Sequence, residues 1–350
     1  IPFKDVYLHG LVRAEDGKKM SKSRPSSIID PLDIIPKYGA DSLRMALIMG
    51  VSPGNDQTWG WSKIEANRNF CNKLWNIARY IEDIVGNETG RQGAVPATAA
   101  DHWILDKLRQ FQEKTAADLD NYRFSEAYER LYHFIWDDLA DWYIEASKAA
   151  PNKALLAYLL EAILTLAHPF APFVTETVWQ TLSWEADSIL ATRTLQAVPK
   201  SDKQQAADFA EIQAIVKETR LIINALKVSG VTLYYTDVPF LRDNAETIKR
   251  LSRLQAVTEV SDGTGLYLIS TDRRCWLDID KETARTYLEE LEGKRAGQLA
   301  DIKQLEDRLA NKNYVKNAPR QVVEQTKRQL AETKAMLASI DEEQKRFGPS

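Results

Sequence analysis

Cysteine is nearly absent: Cys71 and Cys275 are two in 350 residues. Two thiols can neither staple a chain of this size nor supply a four-cysteine zinc site, so a reducing compartment, the cytoplasm, is expected. Histidine is equally sparse. His9, His102, His133 and His168 are scattered, with no cysteine or carboxylate at ligand spacing, so they read as structural and no metal site is expected. No apolar run approaches the roughly 18 residues of a membrane span, which argues against a membrane partner. Residues Ile1 to His9 hold neither an initiator Met nor a charged-then-apolar leader and read like the middle of a domain, so a piece of a longer protein is expected. A basic excess is missing too, since 46 Lys and Arg face 50 Asp and Glu for a net charge of −4. That balance argues against a nucleic-acid partner, although in a multidomain chain what matters is whether cations gather locally. What is present is an ordinary globular composition, 44% hydrophobic and 27% charged, with length for two or three domains.

The pattern divides the chain into four segments. In residues 1–60 an apolar stretch, Val6 to Arg13, has strand length, and Asp16-Gly17 signals a turn before a basic loop, Lys18 to Arg24. Asp30-Pro31 predicts a helix start, with Asp as cap and Pro at the first position, and a second helix runs from Asp41 to Met49. Residues 61–200 are helical in period. Phe70, Leu74, Ile77, Ile81 and Ile84 form one apolar face, and Leu155 to Trp179 is apolar nearly all round, which places it centrally in a bundle, broken at His168-Pro169. Trp136, Trp142 and Tyr143 recur at helical steps and read as core rather than as base-stacking platforms. Residues 201–280 read as a small α/β unit with strands at Val231–Thr236, Ala256–Ser261 and Gly265–Ser270. Asp262-Gly263 suggests a hairpin joining the last two.

Residues 281–350 turn to heptads. Leu288, Arg295, Ile302 and Leu309 form one row beside Leu291, Gln298 and Leu305. After a break at Asn311–Pro319, Val323, Leu330 and Leu337 run beside Thr326, Thr333 and Ile340. Two arms of about 29 residues, roughly 43 Å each, around a short break predict an antiparallel coiled-coil hairpin rather than two surface helices packed on a globular body. Its tip is cationic. Arg308, Lys312, Lys316, Arg320, Lys327 and Arg328 face one acid, Glu324, for a local charge of +5, while the base at 281–293 is −2. Positive charge gathered at one end suits phosphate contact. In the bundle, Arg68, Lys73 and Arg79 are weaker candidates.

The chemistry-bearing segment is Lys19-Met20-Ser21-Lys22-Ser23. Ammonium groups at this spacing can neutralise a polyphosphate, and the hydroxyls and loop amides can donate to it. The requirement is greatest at a leaving pyrophosphate, where negative charge grows in the transition state. This KMSKS sequence resembles the signature of class I aminoacyl-tRNA synthetases. The similarity extends to His9-Gly10, Ile29-Asp30-Pro31 and Tyr38-Gly39-Ala40-Asp41-Ser42-Leu43-Arg44. It continues through Asn69 to Asn76 and through His168 to Glu176. An α/β unit ending in a long hairpin, with Asn313-Tyr314-Val315 and Ala318-Pro319 at its tip, looks like the valyl branch; an isoleucyl-type chain is the alternative within the family.

The resemblance implies a multidomain, mainly α chain. Residues 1–60 would be the end of a Rossmann-type catalytic domain, 61–200 an α-helical anticodon-binding bundle, 201–280 the small α/β domain and 281–350 a tRNA-binding arm. It implies ATP, with Mg2+, as a substrate held by Lys19, Met20, Ser21, Lys22 and Ser23. Lys19 and Lys22 would be the catalytic cations, and Lys22 the first choice for direct contact. Partners would be tRNA(Val) and valine, the latter bound mainly by segments these residues do not include. The family's HIGH segment and editing domain precede its KMSKS loop, so these residues are not expected to aminoacylate alone. One departure stands out: Arg24-Pro25-Ser26 follows the motif where the family has Leu-Gly-Asn, which predicts a stiffer loop. Outside this family, the remaining readings are a non-catalytic tRNA-binding module and a coiled-coil protein whose basic tip docks an acidic partner.

Overall fold

The structure is a computed structural model and describes residues 2–20, 30–86, 94–182, 184, 188–189, 197–268, 270–271, 273–311 and 320–347. They divide into two compact units, 1–210 and 211–350.

In the first unit, β1 (Val12–Arg13) pairs in parallel with β2 (Gln57–Thr58), and between them lie α1 (Pro31–Tyr38) and α2 (Ala40–Ile48). Only the last two residues of the expected Val6–Arg13 strand pair in this way. The backbone of Asn55 presses on Gly10, where a Cβ would sit 1.7 Å from the Asn55 carbonyl oxygen, so only glycine fits at that point. Asp30 caps α1 as expected, accepting from the Leu32 amide at 2.8 Å. The bundle follows: α3 (Trp61–Val85), α4 (Ala99–Asp120), α5 (Phe124–His133), α6 (Phe134–Ile144), α7 (Glu145–Ser147), α8 (Lys153–Ala167) and α9 (Pro172–Leu182). Phe70, Leu74, Ile77 and Ile81 of α3 are buried, and α8 is buried on almost every side. The break between α8 and α9 falls at His168-Pro169, where proline cannot supply the next amide.

Segment α6 winds as a π-helix. Its wider turns bring Leu139, Ala140, Tyr143 and Ile144 inward and leave Trp136 and Trp142 half-buried. Tyr143 donates to the buried Asp101 at 2.9 Å, and Asn152 donates to the same carboxylate at 2.9 Å. Asp101 also closes a capping box with Thr98, so one acid organises the starts of α4 and α8.

A further helix, α10 (Lys203–Leu226), contains the boundary between the units. The second unit holds β3 (Thr232–Tyr235), α11 (Pro239–Asp243), α12 (Ala245–Ser252), β4 (Ala256–Glu259), β5 (Leu266–Tyr267) and β6 (Cys275–Leu277). The strand order is β4-β3-β6-β5, with β3 and β4 parallel and the other pairs antiparallel. The expected hairpin between the second and third strands does not form, because β4 and β5 lie at opposite edges. The connection crosses the sheet instead, and Gly263 lies so close to Trp276 that a Cβ would stand 2.0 Å from its ring. Strand β6, absent from the sequence reading, sits between β3 and β5 with Cys275 and Leu277 buried.

Helices α13 (Lys281–Ala310) and α14 (Arg320–Phe347) close the chain as an antiparallel pair. Arg295 meets Asp341 at 2.6 Å and Glu306 meets Lys334 at 2.6 Å, so ascent along one helix is descent along the other. Leu291, Ile302, Val323, Thr326 and Ile340 are buried in the seam the heptads predict, and Arg295, Gln298, Leu305, Leu330, Thr333 and Leu337 are half-buried along it.

Candidate functional site

The lysine loop grows out of a tight turn. The Gly17 amide donates to the Ala14 carbonyl at 2.8 Å, and the Ala14 amide to the Lys18 carbonyl at 2.9 Å. Asp16 accepts from the Lys18 amide at 3.0 Å, and Gly17 sits at φ +75°, a conformation glycine adopts without cost. Lys19 then pairs back against Arg13 in an antiparallel bridge. Lys18 and Lys19 are exposed. Met20 is half-buried and packs, with Val12 and Tyr38, on a cluster of Ile34, Leu43, Ala46, Trp59 and Ile64. The turn is therefore pinned by Met20 beside two exposed lysines. Ser21, Lys22 and Ser23 lie outside the described residues, as do Arg24, Pro25 and Ser26.

The strand that carries this turn is fixed by Asp56. Its carboxylate accepts from the Leu11 amide at 2.8 Å and from the Arg13 Nε at 2.6 Å. The Leu11 amide first, and the Arg13 guanidinium second, hold its carboxyl below the ordinary value. Arg13 is thus committed to Asp56 and orders β1 and β2.

The bundle candidates do not form one patch. Arg68 is exposed and lies over the Tyr38 ring, 5.5 Å from its centroid. Lys73 pairs with Asp141 at 3.0 Å and covers Trp136 at 5.0 Å, at the end of a stack that runs from Phe70 through Tyr132. Arg79 lies on another side, near Val178 and Leu182 of α9. The structure adds cations that no motif marked. A cleft of about 360 Å³ between α4 and α5–α6 is lined by Lys107, Lys114 and Arg130, with Phe111, Glu129 and Asp138. Lys107 reaches Asp138 at 3.4 Å, and Arg130 reaches Asp118 at 2.5 Å. Burial raises the Asp138 carboxyl, with Lys107 opposing. Lys107 and Lys114 lie on α4, Glu129 and Arg130 on α5 and Asp138 on α6, a distribution that carries no signature in sequence.

At the hairpin, Lys327 pairs with Glu324 at 2.9 Å and Arg328 with Glu332 at 2.8 Å, both exposed pairs within α14. Such pairs contribute little and exchange readily for a phosphate. Arg308 lies in the last turn of α13, and Arg320 begins α14. Lys312 and Lys316 lie outside the described residues. The four histidines have separate partners: Gly10 O, the Asp202 amide, Asp137 and Thr175. Among the described residues no three His, Cys, Asp or Glu side chains gather as a metal site, and no helix is long and apolar enough to cross a membrane.

Comparison with known families gives three matches in chain order. Residues 1–60 match tRNA synthetases class I (I, L, M and V), residues 101–232 the anticodon-binding domain of tRNA ligase, and residues 278–348 the valyl tRNA synthetase tRNA binding arm. A valine–tRNA ligase of Bacillus subtilis strain 168 is 33% identical, over 99% of this chain and 42% of its own length. Another from Anoxybacillus flavithermus is 40% identical, over 67% of this chain and 28% of its own. The chain thus spans less than half the length of these relatives. Among solved structures, LeuRS from Agrobacterium radiobacter K84, in ternary complex with tRNA and LeuAMS, has a TM-score of 0.47 and 18% identity over 67% of this chain and 26% of its own.

Proposed function

This chain belongs to the class I tRNA synthetases, in their valyl branch, and from that premise we propose that it supplies the nucleotide-contacting loop and the tRNA-binding surfaces of a cytoplasmic ligase that joins valine to tRNA(Val) at the expense of ATP. The observation that carries this reading is the alignment of 99% of the chain with a valine–tRNA ligase. The anchored turn supports it. Met20 is seated in the cluster around Leu43 and Trp59, which fixes the position of its neighbour Lys19; Lys19 and Lys22 are the cations assigned to the phosphates. There they neutralise the pyrophosphate as it departs, and the Ser21 and Ser23 hydroxyls donate to its oxygens. Mg2+ would travel with the ATP.

The proposed division of labour is a catalytic end at 1–60, an anticodon-binding bundle at 61–200, an α/β domain at 201–280 and a tRNA-gripping arm at 281–350. The test pairs two assays. The 350-residue chain is expected to bind tRNA(Val) in a salt-sensitive way. The longer gene product that carries it is expected to exchange pyrophosphate into ATP with valine, far faster than with isoleucine. Equal exchange with both amino acids, or none, rejects the valyl assignment.

A further inference from the structure

Helix α2 is held by the bundle at three points. At its start, the Asp41 carboxylate is 5% exposed and accepts from the amides of Val174 at 2.7 Å and Phe173 at 3.3 Å. Those are first-turn amides of α9, which have no partner inside their own helix. One turn on, Arg44 donates to the Pro169 carbonyl at 3.2 Å. Past its end, the Gly50 amide donates to the Ser125 hydroxyl of α5 at 2.8 Å. Meanwhile Leu43 and Ala46 of α2 belong to the cluster that Met20 joins. One nine-residue helix therefore touches the base of the lysine loop and the break in the central bundle helices.

We propose that Asp41 is a positioning residue that couples tRNA occupancy of the bundle to the Lys19–Met20 turn through helix α2. The inference rests on the reading that the bundle binds tRNA. Its physical basis is the nature of the joint. Asp41 lies in the first turn of α2 and at the start of α9, so the positive ends of two helix dipoles meet on one carboxylate. A surface cap exchanges its partner for water at little cost, whereas the Asp41 carboxylate, on a residue only 5% exposed, loses two charge-assisted bonds from a partly buried joint if the helices part. The two helices consequently move as one body. Close packing then passes a displacement of α9 to Leu43 and Ala46, and so to Met20. An apolar contact would allow the helices to slide; this joint is directional.

The test uses hydrogen exchange on the 350-residue chain, with and without a tRNA(Val) transcript. In the wild type, tRNA is expected to slow amide exchange across residues 40–50 by at least about fivefold, the lower end of ordinary coupling between sites. Asp41→Asn keeps the shape and removes the charge. It is expected to bind the transcript within about twofold of wild type while the slowing across 40–50 disappears. Slowing that survives in Asp41→Asn overturns the proposal. So does a wild type that binds tRNA without slowing that segment, or a variant that loses affinity and slowing together, which marks a scaffold role. A wild type that binds no tRNA rejects the underlying reading of the bundle instead. If circular dichroism shows Asp41→Asn unfolded, Asp41→Ser, smaller and still an acceptor, carries the same comparison.

Discussion

Lys22 and Met20 sit two residues apart and answer to different demands. Met20 packs on the cluster of Leu43 and Trp59, while Lys22 is proposed to meet charge that exists only as pyrophosphate leaves. In the complete ligase, Lys22→Ala is therefore expected to slow ATP–pyrophosphate exchange through the turnover rate, with the Michaelis constant for valine little changed. Loss of one oriented donor to a developing anion costs about 3 kcal/mol, or roughly a hundredfold. Exchange near the wild-type rate would remove Lys22 from the step. The two cysteines illustrate the opposite case, residues with chemistry that the fold silences. Burial, followed by the charge of Asp41, pushes the Cys71 thiol up to about 12; burial, followed by Glu218 and Glu211, pushes Cys275 up to about 12 as well. A raised thiol pKa in the folded state means a stability contribution that is whole below the ordinary value near 9 and is lost as pH climbs from there toward 12. At pH 9, iodoacetamide is expected to label the folded chain at least about tenfold more slowly than the urea-unfolded chain, because the thiolate is the nucleophile. Equal rates would show that neither thiol is shielded.

Elements were legible where their cause is local. The hairpin seam followed from heptads because a repeat of 3.5 leaves the same face inward turn after turn, and Leu291, Ile302 and Val323 are buried where that repeat puts them. Asp30 and the His168-Pro169 break were legible for the same reason. Two kinds of feature were not. The π-winding of α6 is one, since no periodicity announces it. The Asp41 joint spans 133 positions to Val174, so neither residue hints at the other. The small sheet failed in a third way. Asp262-Gly263 has the chemistry of a hairpin turn, but β3 takes β4 and β6 as its neighbours, and β6 is only three residues long. Gly263→Ala separates the two arrangements. In a simple turn, alanine would cost little more than turn strain. Here the added methyl enters the Trp276 ring, and such overpacking is expected to destabilise the second unit by about 1–3 kcal/mol. A urea titration of the variant measures it, and an unchanged midpoint would contradict the crossing of the sheet.

At the scale of the whole molecule, charge works against its own mean. The chain carries −4 overall, yet residues 308–328 carry +5. A net negative body discourages indiscriminate contact with RNA, so binding has to be earned where cations concentrate. Helix α13 has 30 residues and α14 has 28, which sets the cationic end about 40–45 Å along the hairpin from its acidic base. Glu324 is already counted in that sum, and the exposed pairs Lys327–Glu324 and Arg328–Glu332 are worth under about 1 kcal/mol and are screened by salt, so they open to a phosphate at little cost. Phosphate contacts confer affinity and orientation without reading bases. Replacing Arg320, Lys327 and Arg328 with Ala is therefore expected to weaken tRNA binding uniformly, including that of transcripts with altered anticodons. It should also flatten the plot of log affinity against log salt by up to about 0.9 per lost duplex phosphate contact. Anticodon variants isolate the share of recognition proposed for the bundle, so the two surfaces can be read separately in one set of titrations. Unchanged affinity and slope in the triple variant, with circular dichroism intact, would assign the tip to an acidic protein partner instead of tRNA.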